Sequence, residues 1–194
     1  MHTLKCYTAL DPKELHSGPI TRVRFAATGL VFGMTNPILL AKRHSLKNTL
    51  ATASMDGTIR LYDTVTSKQT QVLTVGCPVS SIEFSKNSKY ILSCSADSIG
   101  RLWDLSTGQV RVQYHGAMQA MGNTTLNFSQ SETLVIGADE NSYAILLWDA
   151  VSGKIVKKLV GQAGKTRAFA VSPTRNMFVS CSDDGKAKVW ECLS

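Results

Sequence analysis

Between residues 81 and 114 the chain reads SIEF, YILSCS, GRLWD and QVRVQY, four short runs parted by clusters of Ser, Asn, Asp, Thr and Gly. Apolar and polar residues alternate along the runs, which are rich in Ile, Val, Leu and aromatics. That is the pattern of half-buried strands joined by tight turns. Period two sends neighbouring side chains to opposite faces, so each run can cover something on one side and be covered on the other. The same order recurs along the chain. RVRF (22–25), SIEF (81–84), TLNF (125–128) and FAVS (169–172) lead. TLATAS, YILSCS, TLVIGA and MFVSCS follow, and KQTQVL, QVRVQY and KIVKKL close the units. No helical period competes. The prediction is all-β, built from antiparallel hairpins.

The runs belong to an internal repeat. MDGTIRLYD, ADSIGRLWD, NSYAILLWD and DDGKAKVWE end on acids at 63, 104, 149 and 191, which are 41, 45 and 42 residues apart. A period of about 40–45 residues closing on Trp-Asp is the signature of a four-stranded propeller blade. Asp56, Asp97 and Asp184 each precede the aromatic (Tyr62, Trp103, Trp190) by six residues, whereas Asp139 precedes Trp148 by nine. The pattern resembles WD-repeat propellers. There the turn Asp bonds backbone and a loop His, the His reaches a Ser or Thr on the second strand, and that hydroxyl bonds the Trp. The resemblance implies such a network for His16, Thr52 or Ser54, and Asp56, with Tyr62 in place of the Trp. Val75, Gln119 and Gln162 stand near the His position of the other units, whose networks are therefore expected to be incomplete. All these residues are expected to hold the fold.

The units predict one partial propeller over residues 1–194. Residues 1–10 read as an orphan outer strand. A blade over 16–75 carries an 18-residue insertion at 30–47, because removing LVFGMTNPILLAKRHSLK leaves an uninterrupted unit. Blades over 76–115 and 116–160 follow, and a last blade over 161–194 lacks its outer strand. Four blade-equivalents are expected to form an open arc of a seven-bladed ring.

Composition narrows the chemistry. The 194 residues are 43% hydrophobic and carry a net charge of +7. From 150 to 182 there are six basic residues and no acid: Lys154, Lys157, Lys158, Lys165, Arg167 and Arg175. This run reads first as a solvated sheet edge, then as a patch for an acidic protein or, less well, RNA. Five dispersed cysteines without Cys-x-x-Cys indicate neither a disulfide framework nor a zinc site. The four histidines have no metal-ligand spacing, and no phosphate-cradling glycine motif or nucleophile–base constellation occurs. No enzyme, cofactor or small-molecule substrate is expected. No uncharged apolar run is long enough to span a membrane.

One resemblance is narrower. IEFSKNSKYILSCSADSIGRLWDLSTGQ (82–109), the long ADENSYAILLWD turn and SPTRNMFVSCSDDGKAKVW (172–190) resemble the WD-repeat, fifty-kilodalton subunits of cleavage stimulation factor, over their last four blades. That family acts in pre-mRNA 3′-end cleavage and polyadenylation. The resemblance implies a nuclear, non-catalytic scaffold that binds protein subunits of that complex through loops and blade edges, near RNA but without contacting it directly. The family's dimerisation segment and earlier blades have no counterpart here. The alternative expectation is a WD-repeat adaptor elsewhere, in substrate recruitment for ubiquitination or in ribosome assembly.

Overall fold

The computed structural model describes residues 38–43, 48–117 and 125–191. Among these, every regular element is a strand, and the strands form four antiparallel sheets. The first contains β1 (Ile38–Arg43), β2 (Thr49–Ser54), β3 (Thr58–Asp63) and β4 (Gln69–Thr74). The second contains β5 (Val79–Phe84), β6 (Tyr90–Ser95), β7 (Gly100–Asp104) and β8 (Gln109–Tyr114). The third contains β9 (Asn127–Phe128), β10 (Leu134–Asp139), β11 (Ala144–Asp149) and β12 (Ile155–Leu159). The last has three: β13 (Thr166–Val171), β14 (Met177–Ser182) and β15 (Ala187–Glu191). Each sheet is a meander of strands in chain order.

The repeat is visible in the register. Ile38, Val79 and Thr166 pair with Ser54, Ser95 and Ser182, and a bulge follows each of these pairs. A second bulge recurs just before the aromatic, at Leu61/Tyr62, Leu102/Trp103 and Leu147/Trp148. A bulge adds local twist, and its repetition gives successive sheets the same shape. The turn between second and third strands needs a positive φ. Gly57 (79°) and Gly185 (74°) supply it without a Cβ penalty, whereas Ser98 adopts 63° at the same place.

This register corrects one expectation. Ile38–Arg43 falls inside the segment read as an insertion, yet it is the first strand of its sheet and holds the place of β5 and β13. ILLAKR lies a few residues before β2, so the hairpin closes a short loop. RVRF lies much farther upstream, and closing the longer loop costs more entropy. RVRF, the outer strand expected over 1–10 and His16 lie outside the described residues, as does Gln119.

Packing between sheets makes the core. Ala51, Ala53, Ile59 and Leu61 of the first sheet meet Ile82, Ile91 and Trp103 of the second. The opposite face of the second, with Leu92, Cys94, Leu102 and Tyr114, meets Leu126, Val135 and Trp148 of the third. Ile136, Ile145 and Leu147 of the third meet Phe178, with Phe169 and Trp190 packed against them. In every case the Trp-bearing face looks back to the preceding sheet. Polar ties cross the same seams. Glu83 accepts the Phe128 N–H (3.1 Å) and the Asn127 amide (3.0 Å), and Tyr114 Oη donates to the Ala150 carbonyl (2.7 Å). Burial pushes the Tyr114 phenol pKa up, and Asp149 adds to the rise, so the hydroxyl stays a donor.

Tyr114→Phe keeps the ring and leaves the Ala150 carbonyl without that donor. Stability should fall by about 1–3 kcal/mol, seen as a lower urea midpoint at unchanged slope. An unshifted midpoint would show that the bond adds nothing to the seam.

Candidate functional site

The acidic turns between second and third strands lie against loops that enter first strands, that of the following sheet at Gly57 and that of the same sheet at Ala96 and Asp183. Val75 and Gly76 donate to the Gly57 carbonyl (2.9 and 3.2 Å), Ala96 donates to Pro78, and Asp183 donates to Lys165. Turns and loops together form one end of the sheet stack. All four expected turn aspartates sit there, each in a distinct setting.

Asp56 accepts from the Thr58 N–H (2.9 Å) and hydroxyl (2.6 Å), and its own N–H donates to Ser54 (3.2 Å). Asp97 accepts from Ser95 Oγ (2.7 Å) and the Ile99 N–H (3.1 Å), and both of its oxygens face Arg101, the closer contact being 2.5 Å. Burial alone would raise the Asp97 pKa. The bonds from Arg101, Ser95 and Ile99 outweigh it and hold the carboxyl well below the usual carboxylate range. Asp184 ties the entering loop down by accepting the Ala163 N–H (2.9 Å), and this bond is the first cause of its lowered pKa. Asp139 is buried, accepts the Asn141 N–H (3.3 Å) and the Ser142 hydroxyl, and lies 4.0 Å from Lys158.

The aromatics divide into three solutions. Trp103 donates to Ser93 Oγ (2.8 Å). In the last sheet, Ser180 Oγ receives both the Trp190 indole N–H (2.8 Å) and the Gln162 amide (2.6 Å). In this sheet loop, serine and indole are joined through Gln162, while Asp184 accepts the Ala163 N–H instead. A carboxamide donates as an imidazole N–H does, and Gln162 takes the loop position. In the third sheet Gly137 stands at the serine position, because a Cβ there would lie 2.4 Å from Leu126 and 3.0 Å from the Trp148 ring. Trp148 donates instead to the His115 carbonyl (2.8 Å). In the first sheet Thr52 holds the serine's register and Tyr62 is 1% exposed.

The basic run is partly neutralised at this same end. Lys165 pairs with buried Glu140 (2.8 Å), Lys158 approaches Asp139, and Arg167 forms a fork with Asp183 (2.5 and 2.6 Å). The Asp183 bond raises the Arg167 pKa. The stretch from 150 to 182 holds no acids because Asp139, Glu140 and Asp183 all lie outside it. Lys154, Lys157 and Arg175 have no carboxylate at salt-bridge distance among the described residues. Arg101, Ser93, Ser180 and Glu140 were not singled out by the sequence. The signal that finds Arg101 is its place four residues after Asp97, across the turn. Among the described residues no group of His, Cys, Asp and Glu could hold a metal ion.

The sequence profile described as "WD domain, G-beta repeat" matches residues 6–63, 67–104 and 153–191. It passes over residues 105–152, which hold β8, β9, β10 and β11, where Gly137 and the longer turn depart from the pattern. Cleavage stimulation factor subunit 50 of Arabidopsis thaliana is 29% identical over 98% of this chain and 42% of its own length. The WD repeat domain-containing protein 83 homolog of Dictyostelium discoideum is 27% identical over 72% of the chain and 42% of its own length. GID complex subunit 7 of Schizosaccharomyces pombe is 28% identical over 70% and 27%. The chain thus spans about two-fifths or less of these relatives. Among solved structures, the computationally designed Ika4 protein superposes with TM-score 0.69 at 25% identity, covering 82% of this chain and 93% of that one.

Ser180→Ala removes the acceptor shared by Trp190 and Gln162. It should cost about 1–3 kcal/mol in urea unfolding, while Ser182→Ala, whose hydroxyl accepts the Asp184 N–H at the exposed turn, costs less. Equal losses would contradict the shared role of Ser180. The lowered Asp97 pKa also has a sign. Its contribution is complete above the unfolded carboxylate value and is lost as pH falls through the folded value, because the unfolded chain then binds the extra proton. Melting temperature should therefore fall steeply with acid below about pH 4, and less steeply in Asp97→Asn. Parallel acid slopes for the two proteins would refute it.

Proposed function

The chain belongs to the WD-repeat family, and from that premise we propose that it is a non-catalytic scaffold in pre-mRNA 3′-end cleavage and polyadenylation, working in the nucleus. WD repeats indicate a protein-interaction scaffold. Among the described residues, the carboxylates at this end of the stack are bonded to arginine, lysine, serine and backbone N–H groups that fix turns. Such a surface offers fixed charge and rigid loops, which suits recognition of other proteins.

The finer assignment rests on one observation. The similarity to the Arabidopsis cleavage stimulation factor subunit runs over 98% of the chain, whereas the other relatives named above align over 70–72%. The FSKNSKY stretch adds to it. It forms the β5–β6 turn, where Lys86 donates its N–H to Glu132 (2.5 Å) and Lys89 donates its N–H to Asn87 (3.0 Å). A second reading is an adaptor in another assembly, favoured by the likeness to GID complex subunit 7 at nearly the same identity.

Affinity purification of the tagged chain from nuclear extract separates the two. Recovery of other cleavage and polyadenylation subunits is the expected result. Recovery of GID-complex subunits without them would overturn the 3′-end assignment.

A further inference from the structure

Three sheets place a serine at the start of the turn from first to second strand. Ser85, Ser129 and Ser172 each donate their N–H to the carbonyl of the residue that opens the second strand, Tyr90, Leu134 or Met177. In two of these turns the serine is sealed. Ser85 and Ser129 are 2% and 3% exposed, with their hydroxyls engaged by Asn87 and the Tyr90 carbonyl or by Ser131. The fourth residue, Ser88 or Glu132, takes a left-handed φ (59° and 58°) and donates its N–H to the serine carbonyl (3.0 Å in both).

The turn at Ser172 is built differently. None of Pro173, Thr174, Arg175 and Asn176 has a left-handed φ. The N–H groups of Thr174 (3.4 Å) and Arg175 (3.1 Å) point at Ser172 Oγ instead. Ser172 is half-buried, and Pro173, Thr174 and Arg175 are exposed. Its hydroxyl proton meets no acceptor among the described residues.

The sequence supplies a second observation. Ser172-Pro173-Thr174-Arg175 is a serine followed by proline, with a base at the third place after it. The five prolines follow Asp11, Gly18, Asn36, Cys77 and Ser172, so no other hydroxyl residue precedes one. Proline has a fixed φ and no N–H, so an enzyme groove that offers no acceptor at that place selects it. Arg175 has no carboxylate at salt-bridge distance among the described residues and can meet an acidic subsite.

We propose that Ser172 is the substrate of a proline-directed protein kinase, and that its turn cradles the phosphate it receives. The co-substrate is ATP. Ser172 Oγ bonds to the γ-phosphorus, and the bond from that phosphorus to the β–γ bridging oxygen breaks. ADP leaves with the electron pair, and the hydroxyl proton passes to the kinase's base. The product carries roughly −1.5 to −2 charge at neutral pH and three acceptor oxygens. They stand on the atom toward which two backbone N–H groups already point, beside a free guanidinium, and charge-assisted bonds follow. The turn thereby changes from a positive surface to a negative one. This goes beyond the scaffold reading and holds whichever assembly the chain serves.

The test is phosphorylation of the purified full chain by a cyclin-dependent kinase with ATP and magnesium. Intact mass should show a single phosphate, and fragmentation should place it on Ser172. Pro173→Ala should lower kcat/KM for the chain at least tenfold, Arg175→Ala at least threefold, and Ser172→Ala should abolish incorporation. The phosphorylated chain should show the Thr174 and Arg175 amide resonances moved downfield, with slower hydrogen exchange. The chain recovered from its own cells under phosphatase inhibition should carry the same phosphate. No incorporation, a phosphate on another residue, an unchanged rate in Pro173→Ala, or an unmodified Ser172 in cells overturns the proposal. Unmoved Thr174 and Arg175 amides overturn the cradle. Pro173 and Arg175 are exposed, so their variants leave the core intact, and an unshifted urea midpoint checks this.

Discussion

A β-sheet of three or four strands has two faces, and neither hairpin bonds nor turn chemistry can hide both from water. The stability of this molecule depends on each sheet being covered by the next. Ala51, Ala53, Leu92, Cys94, Ile136 and Ile145 lie on faces turned toward the following sheet, and all are at most 2% exposed. Val179 and Val189, on the corresponding face of the last sheet, are 37% and 64% exposed. Burial is worth roughly 25 cal/mol per Å² of apolar surface, so a sheet covered on both faces is held far more firmly than one covered on a single face. The repeat length, the bulges and the backward-looking aromatics all serve this stacking.

Polar groups at the seams follow from the same constraint. An indole N–H buried between sheets needs an acceptor, and the chain finds one in two ways. Where a serine fits beneath the ring, Ser93 and Ser180 serve. Where Leu126 presses in and only glycine fits, Trp148 reaches the His115 backbone. The terminal acids Asp63, Asp104 and Asp149 hold the next turn, accepting N–H and hydroxyl groups from Thr66, Ser106 and Ser152. Their pKa values fall accordingly. The Trp-Asp pair is thus two devices: a wedge between sheets and a clasp on a turn.

The sheets were legible in the sequence because strand period, turn residues and a repeat of 41–45 residues all point to the same answer. What escaped depends on distance in space. Gln162 reaches Ser180 from a loop 18 residues away, and nothing local to either residue announces it. The ion pairs of the basic run escaped for a similar reason, since Glu140 is 25 residues from Lys165 along the chain yet 2.8 Å away in the fold. The first strand was misplaced because two apolar runs competed for one position, and periodicity alone does not weigh their loop lengths.

Among the described residues the middle sheets are covered on both faces and the last sheet on one, which sets a gradient of stability along the stack. Native-state hydrogen exchange of the unliganded chain measures that gradient directly. The stacking account predicts slowest exchange in β6 and β10, whose sheets are covered on both faces, and much faster exchange in β14 and β15. Equal protection of β10 and β14 would contradict it, since the last sheet would then not depend on a neighbour for its stability.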